Sequence, residues 1–277
     1  MKGKMKQKIG LYIFYLIICI FFLFPLLWLL SLSFKTVPEL FENPPQLIPN
    51  SFSLDNYKHV MWTTNMFRYL KNSLIYCGFT IVGAMLLSVP AAYAFSRFRF
   101  RGKRTLMFAV LFFQMISPLI VVIPLYRYFS SMGWLNNFWA LIAVYIALTL
   151  PFSTWSLKGY VDTIPIELDE SAFIDGCGRI KTLIKIVAPL IVPGVVSVVI
   201  LVFVRTWSQF IVPYILLNDQ EMFPISVALV NLQSTSDAIT THYLAAAGVI
   251  AILPTLLVFI LLQKFIVSAM TAGAVKG

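Results

Sequence analysis

The sequence predicts an all-α polytopic membrane protein with six transmembrane helices and both termini in the cytoplasm. Of its 277 residues 60% are hydrophobic and 12% charged, and the mean hydropathy of +0.87 lies beyond the usual range of soluble globular chains. Six nearly charge-free runs have about the ~20 residues that cross a bilayer as a helix. The bases fall mostly on one side of those runs, as the positive-inside rule requires.

The runs are residues 11–34, 72–96, 105–126, 136–157, 190–217 and 243–263. None sustains the apolar–polar alternation of a barrel strand, so helices are expected. The first follows MKGKMKQK and is too long for a signal-peptide core, which has ~7–15 residues and a small-residue cleavage site. It reads as an uncleaved span. With the amino terminus inside, the inner segments hold Lys2, Lys4, Lys6 and Lys8, then Arg97, Arg99, Arg101, Lys103 and Arg104, then Lys158, Arg179, Lys181 and Lys185, then Lys264 and Lys276. The outer segments hold Lys35, Lys58, Arg68, Lys71 and Arg127, and Arg205 lies within the fifth run. The net charge of +10 is thereby a topology signal, which argues against nucleic acid as a partner.

Two outer segments are longer than turns. Residues 35–71 contain ENPPQLIPN, whose prolines forbid a long helix. Residues 218–242 are partly apolar and suit either passive linkage or contact with a partner. Pro25, Pro90, Pro118 and Pro124 are expected to break or bend their spans. Cys19, Cys77 and Cys177 offer neither a disulfide framework nor metal-ligand spacing, and are expected to be buried thiols.

Between the fourth and fifth runs the chain turns polar, with ESAFIDGCGRIKTLIKIVAP at residues 170–189. Pro165 suits a helix start, and Glu167, Asp169 and Glu170 place negative charge at its positive end. Gly176 and Gly178 are stop signals. A second short helix from Arg179 through Lys185, with Ile180, Leu183, Ile184 and Val187 between its bases, leads to Pro189 and the fifth run. By physics alone this is either an amphipathic loop on lipid headgroups or a docking knob. In the knob, Ser171 and Ala172 allow close approach, Phe173 and Ile174 give apolar contact, and Glu170 and Asp175 pair with a partner's bases.

The stretch resembles the EAA loop of permease subunits of binding-protein-dependent ABC importers, in which Glu-Ala-Ala is followed by three residues, Gly, nine residues and Ile-x-Leu-Pro. Glu170, Ser171, Ala172, Gly176, Ile186 and Pro189 keep every spacing, with Ser171 replacing Ala and Ala188 replacing Leu. AAYAFSRFRFRGKR (91–104), LPFSTWSLKGYVDTIPIELDESAFIDG (150–176) and the ending TAGAVKG are similar to the sugar-importing branch, and more narrowly to its MalG-type subunits. The resemblance implies one ABC importer transmembrane domain over 1–277, in the cell's inner (cytoplasmic) membrane, with residues 165–189 as the cytoplasmic coupling loop. It implies that Glu170, Ser171, Ala172, Asp175 and Gly176 couple to an ATPase. The implied partners are a homologous second permease, two copies of an ABC ATPase and an extracytoplasmic sugar-binding protein. It also implies contact of the 218–242 loop with that binding protein, through Asn231, Gln233 and Ser234.

No Gly-x-x-x-x-Gly-Lys-[Ser/Thr] loop, His-Glu-x-x-His or Gly-x-Ser-x-Gly occurs, and His59 and His242 fall in outer loops. A non-catalytic subunit is expected, with no cofactor or metal of its own, ATP and Mg being bound by the partner ATPases. Arg205, roughly 22 Å along its run at ~1.5 Å per residue, either faces a cavity or snorkels to the outer surface. With Trp207 and Ser208, where the family usually has Trp-Asn, it makes a candidate translocation path. The alternative from another class is an ATP-independent secondary transporter or channel subunit. Ionisable groups within the spans or inverted repeats would favour it, and Arg205 alone meets the first condition.

Overall fold

A computed structural model describes residues 2–234 and 241–274, and it is helical with no strand among them. The helices are α1 (Lys2–Phe34), α2 (Asp55–Thr63), α3 (Met66–Arg97), α4 (Lys103–Gln114), α5 (Pro118–Met132), α6 (Phe138–Val161), α7 (Glu167–Ile174), α8 (Arg179–Leu190), α9 (Val192–Trp207), α10 (Ile211–Leu216), α11 (Ile225–Ser234) and α12 (Thr241–Ala274). Four stretches of the described residues are long and apolar enough to cross a membrane: Gly10–Phe34, Met66–Arg97, Phe138–Val161 and Thr241–Lys264. The number rises to six if each of two bent helix pairs counts as one span.

One of those bends falls at Pro118, where a break is expected, whereas the breaks in the fifth run depart from the expectation of a continuous helix. Within the third run α4 and α5 meet at 88°. Ser117 is driven to extended backbone (φ −63°, ψ 134°) by Pro118 after it, and its side chain caps Leu119 N–H. The fifth run breaks twice. Pro193 accompanies a 78° bend between α8 and α9, and Pro213 sits just past the gap between α9 and α10. Pro25, Pro90 and Pro124 lie inside continuous helices.

The chain divides into two compact units, residues 1–67 with 228–253, and 68–227 with 254–277. In the first, α1 has no buried residue from Gly10 to Leu30 and is buried at Ser31 and Ser33 near its end, so Cys19 is exposed rather than buried. Only its end is tied down. Asn56 of α2 donates to the carbonyls of Ser33 and Lys35, each at 2.9 Å, satisfying groups a helix end leaves open. Ser31 donates to Leu47 O and Lys35 to Gln46 O, which ties the proline-rich segment to the same helix end.

In the second unit α3 and α6 run through both apolar clusters. One gathers Tyr76, Leu141, Tyr145, Val212, Leu216 and Val227; the other gathers Tyr93, Leu157, Val161, Val187, Val198 and Val202. In lipid, close packing rather than water exclusion holds helices together, and small residues permit it. Gly194 shows this: a Cβ there would lie 2.6 Å from two ring carbons of Tyr160. The segment between α10 and α11 is pinned by polar groups of α3. Asn72 donates to the Glu221 and Phe223 carbonyls, Tyr76 to Met222 O at 3.0 Å, and Ser73 accepts from Ile225 N–H at 2.8 Å.

Gly194→Ala is expected to lower the thermal unfolding midpoint in detergent, because overpacking costs ~1–3 kcal/mol. Gly159→Ala, whose added methyl meets nothing within 4 Å, should leave it unchanged or raised. An unchanged midpoint in Gly194→Ala would mean that Tyr160 swings aside freely.

Candidate functional site

The polar segment forms a knob on top of α3 and α6. Helix α7 ends as its glycine requires: Gly176 takes φ +77°, while Cys177 N–H bonds Ala172 O at 2.9 Å and Gly176 N–H bonds Phe173 O at 3.1 Å. This pair of bonds closes the helix with a left-handed residue at its end. The second helix differs from expectation. It is α-helical over Arg179–Thr182 and then π-helical over Leu183–Val187, an irregularity that recurs at functional sites.

Beneath the knob lies a buried ion pair. The Asp169 carboxylate, its side chain 3% exposed, accepts from Arg97 Nε at 2.8 Å and from the Tyr93 hydroxyl at 2.8 Å. Arg97 also donates through Nη2 to Ile164 O at 2.9 Å. Around this pair, Asp162 accepts from Ser96 and Lys158, and the Arg179 guanidinium sits 4.5 Å from the Phe98 ring centroid. The last turn of α3 is thus bonded to α7, to the loop before it and, through Asp162, to the end of α6.

The five expected coupling residues divide by exposure. Ala172 is buried at the base, while Glu170, Ser171, Asp175 and Gly176 face outward. Phe173, Ile174, Ile180 and Ile184 are exposed beside them, Ile174 at 86%. A projecting acidic rim around bare apolar side chains suits insertion into a concave partner surface. Sequence reasoning missed Tyr93 and Arg97, and treated Asp169 only as a charge for the helix dipole. The signal available was an arginine closing a long apolar helix in FSRFRFRGKR, masked by the four bases after it.

The second constellation is a cavity of about 850 Å³ where α3, α4, α5, α6 and α9 meet. Arg205 and Ser208 line it, with Gln114, Thr149, Thr154 and Gln209. Trp207 does not: it is buried and stacked on Phe203, with centroids 5.4 Å apart. Among the described residues the Arg205 side chain has one partner, the ring face of Phe152 at 4.1 Å. The end of α9 favours a cation by ~0.3–1 kcal/mol and the Phe152 face adds ~0.5–2 kcal/mol, against the ~2.5–3.5 kcal/mol that a charge costs at the centre of a span. Cavity solvent or an added anion supplies what remains.

Asn231 is half-buried on α11, and the side chains of Gln233 and Ser234 lie outside the described residues. His59 and His242 flank the Tyr243 ring, with centroids at 4.2 and 3.9 Å. No three His, Cys, Asp or Glu side chains gather as a metal site among the described residues.

Comparison with known proteins points in one direction. Residues 84–272 match the family described as binding-protein-dependent transport system inner membrane component. The trehalose/maltose transport system permease protein MalG of Thermococcus litoralis is 34% identical over 279 residues, covering 100% of both chains. The inner membrane ABC transporter permease protein YcjP of Escherichia coli is 34% identical over 273 residues, 98% of this chain and 97% of that one. Among solved structures, a chain of a bacterial ABC transporter involved in the import of the acidic polysaccharide alginate superposes with a TM-score of 0.83 at 21% identity, covering 95% of this chain and 98% of that one.

Removing one member of a buried ion pair costs ~3–5 kcal/mol, because the other charge is stranded. Arg97→Ala should therefore lower the thermal midpoint sharply. The double variant Arg97→Met with Asp169→Leu, which leaves no buried charge, should recover part of the loss. A double variant no more stable than Arg97→Ala would contradict a stranded carboxylate as the cause.

Proposed function

This chain belongs to the binding-protein-dependent transport system inner membrane components, and on that premise we propose that it is a transmembrane subunit of an ATP-driven carbohydrate importer. Residues 1–277 form one transmembrane domain of six spans, the bent pairs counting as one each, with both termini cytoplasmic. The protein is a multi-pass component of the inner membrane, as its family and its apolar helices indicate. The sugar class is supported by relatives such as the trehalose/maltose permease.

The observation that carries the proposal is the knob, which exposes Glu170, Phe173, Ile174 and Asp175 while Asp169 anchors it from below. Two copies of an ATPase dock there and on the corresponding loop of a homologous second permease. ATP and Mg are bound by those subunits, and this chain binds no cofactor and catalyses no reaction. When the ATPase dimer closes, Glu170, Ser171, Ala172, Asp175 and Gly176 carry the motion to α3 through the buried pair. The spans then open outward as an extracytoplasmic binding protein, touching the outer loop near Asn231, Gln233 and Ser234, releases its sugar. Arg205, Trp207 and Ser208 belong to the translocation path, the first and last at its wall and Trp207 behind it.

The alternative without an ATPase would need a relay of ionisable groups in the spans. Among the described residues, Arg205 is the one Lys, Arg, Asp or Glu in the cavity wall, which favours the ATP-driven mechanism.

The test is a mild-detergent pull-down from native membranes with mass spectrometry of the associated proteins. Wild type should bring down an ATPase and a second permease. Glu170→Lys, which reverses the charge of an exposed residue, should insert normally and lose the ATPase by tenfold or more. Absence of any ATPase from the wild-type complex, or its full retention by the variant, would overturn the proposal.

A further inference from the structure

Among the described residues, the Arg205 cavity carries in its wall one full positive charge and no acidic side chain. Its wall has neutral hydrogen-bonding groups in Gln114, Thr154 and Gln209 and apolar surface in Phe95 and Phe113. Arg205 is exposed to it, and among the described residues the guanidinium touches only the face of Phe152. Stacking on an aromatic face restrains the planar fork while leaving N–H donors available for a two-point contact with an oxyacid. Two buried hydroxyl oxygens of the wall residues, on Tyr145 and Thr206, also lack hydrogen-bond partners among the described residues. A charge within a span that faces a cavity is a mark of function, a substrate or ion pathway among them, and among the described residues this one has no counter-charge beside it.

We propose that this cavity receives the acidic group of an anionic glycan, such as a uronate carboxylate or a sugar sulfonate. Arg205 serves as its counter-ion, while Gln114, Thr154 and Gln209 take the neighbouring hydroxyls. This rests on the importer function above and deepens it by naming a substrate class. The site is part of this chain, so the assembled transporter discriminates by charge after the binding protein has made its own selection. Arg205 is a specificity-determining contact in this scheme and takes no part in coupling to the ATPase.

The experiment uses the full transporter purified in nanodiscs without its binding protein. The probes are glucuronate-, galacturonate- and mannuronate-containing disaccharides, each measured beside its carboxyl-reduced neutral counterpart, at low and high salt. At least one uronate should bind about tenfold or more tightly than its neutral counterpart, with a ratio that shrinks as salt rises. The ratio should fall to near one in Arg205→Gln and to an intermediate value in Arg205→Lys, which keeps the charge without the fork. Equal binding of every pair by wild type, or a preference that persists in Arg205→Gln, would overturn the site. So would loss of the second permease from Arg205→Gln but not from Arg205→Lys, because the charge would then be pairing with an acid of that subunit. ATP-driven uptake of a neutral glycan with no preference for its uronate would remove the anion site and leave the importer function standing. A complex with neither ATPase nor uptake of any glycan would remove both.

Discussion

The buried Asp169 carboxylate is the constraint on which the rest of the site depends. It lies in the first turn of a short helix, where the helix end favours a negative charge, and where Tyr93 and Arg97 supply the hydrogen bonds that make burial tolerable. Because α7 has only Glu167–Ile174, it is below the length at which a helix holds itself together in water. Its orientation comes from the contact with α3 and from Ala172 packed at its base. With that orientation fixed, Glu170, Phe173, Ile174 and Asp175 project together. Were Asp169 released, the exposed face would lose its register with the spans beneath it.

The anchor also lies close to the cavity along the chain. Arg97 is two residues from Phe95, which lines the cavity, and on α6 Thr154 of the wall is followed one turn later by Lys158, which pairs with Asp162. The two sites therefore share two rigid elements, each packed into both apolar clusters. A tilt of α3 or α6 imposed at the knob must alter the cavity wall. The breaks at Ser117 and between Trp207 and Ile211 border the same cavity and give the wall places to bend.

Much of the fold was legible because membrane helices declare themselves by length and by absence of charge. Residues 11–34, 72–96, 136–157 and 243–263 fall almost wholly on α1, α3, α6 and α12. Gly176 was legible as a stop because few other residues adopt its φ of +77°. The bends were harder to read: Pro118 and Pro213 mark them, but Pro90 and Pro151, similar in sequence, sit inside unbroken helices. What separates them is the packing around each helix, which no local pattern records. The same holds for Asp169 and Arg97, whose burial is decided by partners far away in the chain. Arg97 is 72 residues from its carboxylate, and a topology count sees it only as one more cytoplasmic base.

The most direct measurement of the central claim, that the buried pair transmits force from knob to spans, is the number of ATP molecules hydrolysed per substrate imported in proteoliposomes. It is best compared between wild type and Arg97→Lys. Lysine keeps the charge but cannot serve Asp169 and Ile164 O together with a rigid fork. The account predicts that the variant transporter assembles and continues to hydrolyse ATP while the ratio of ATP to substrate rises several-fold. A wild-type ratio in Arg97→Lys, and again in Asp169→Asn, would contradict it and place the coupling contact elsewhere in the loop.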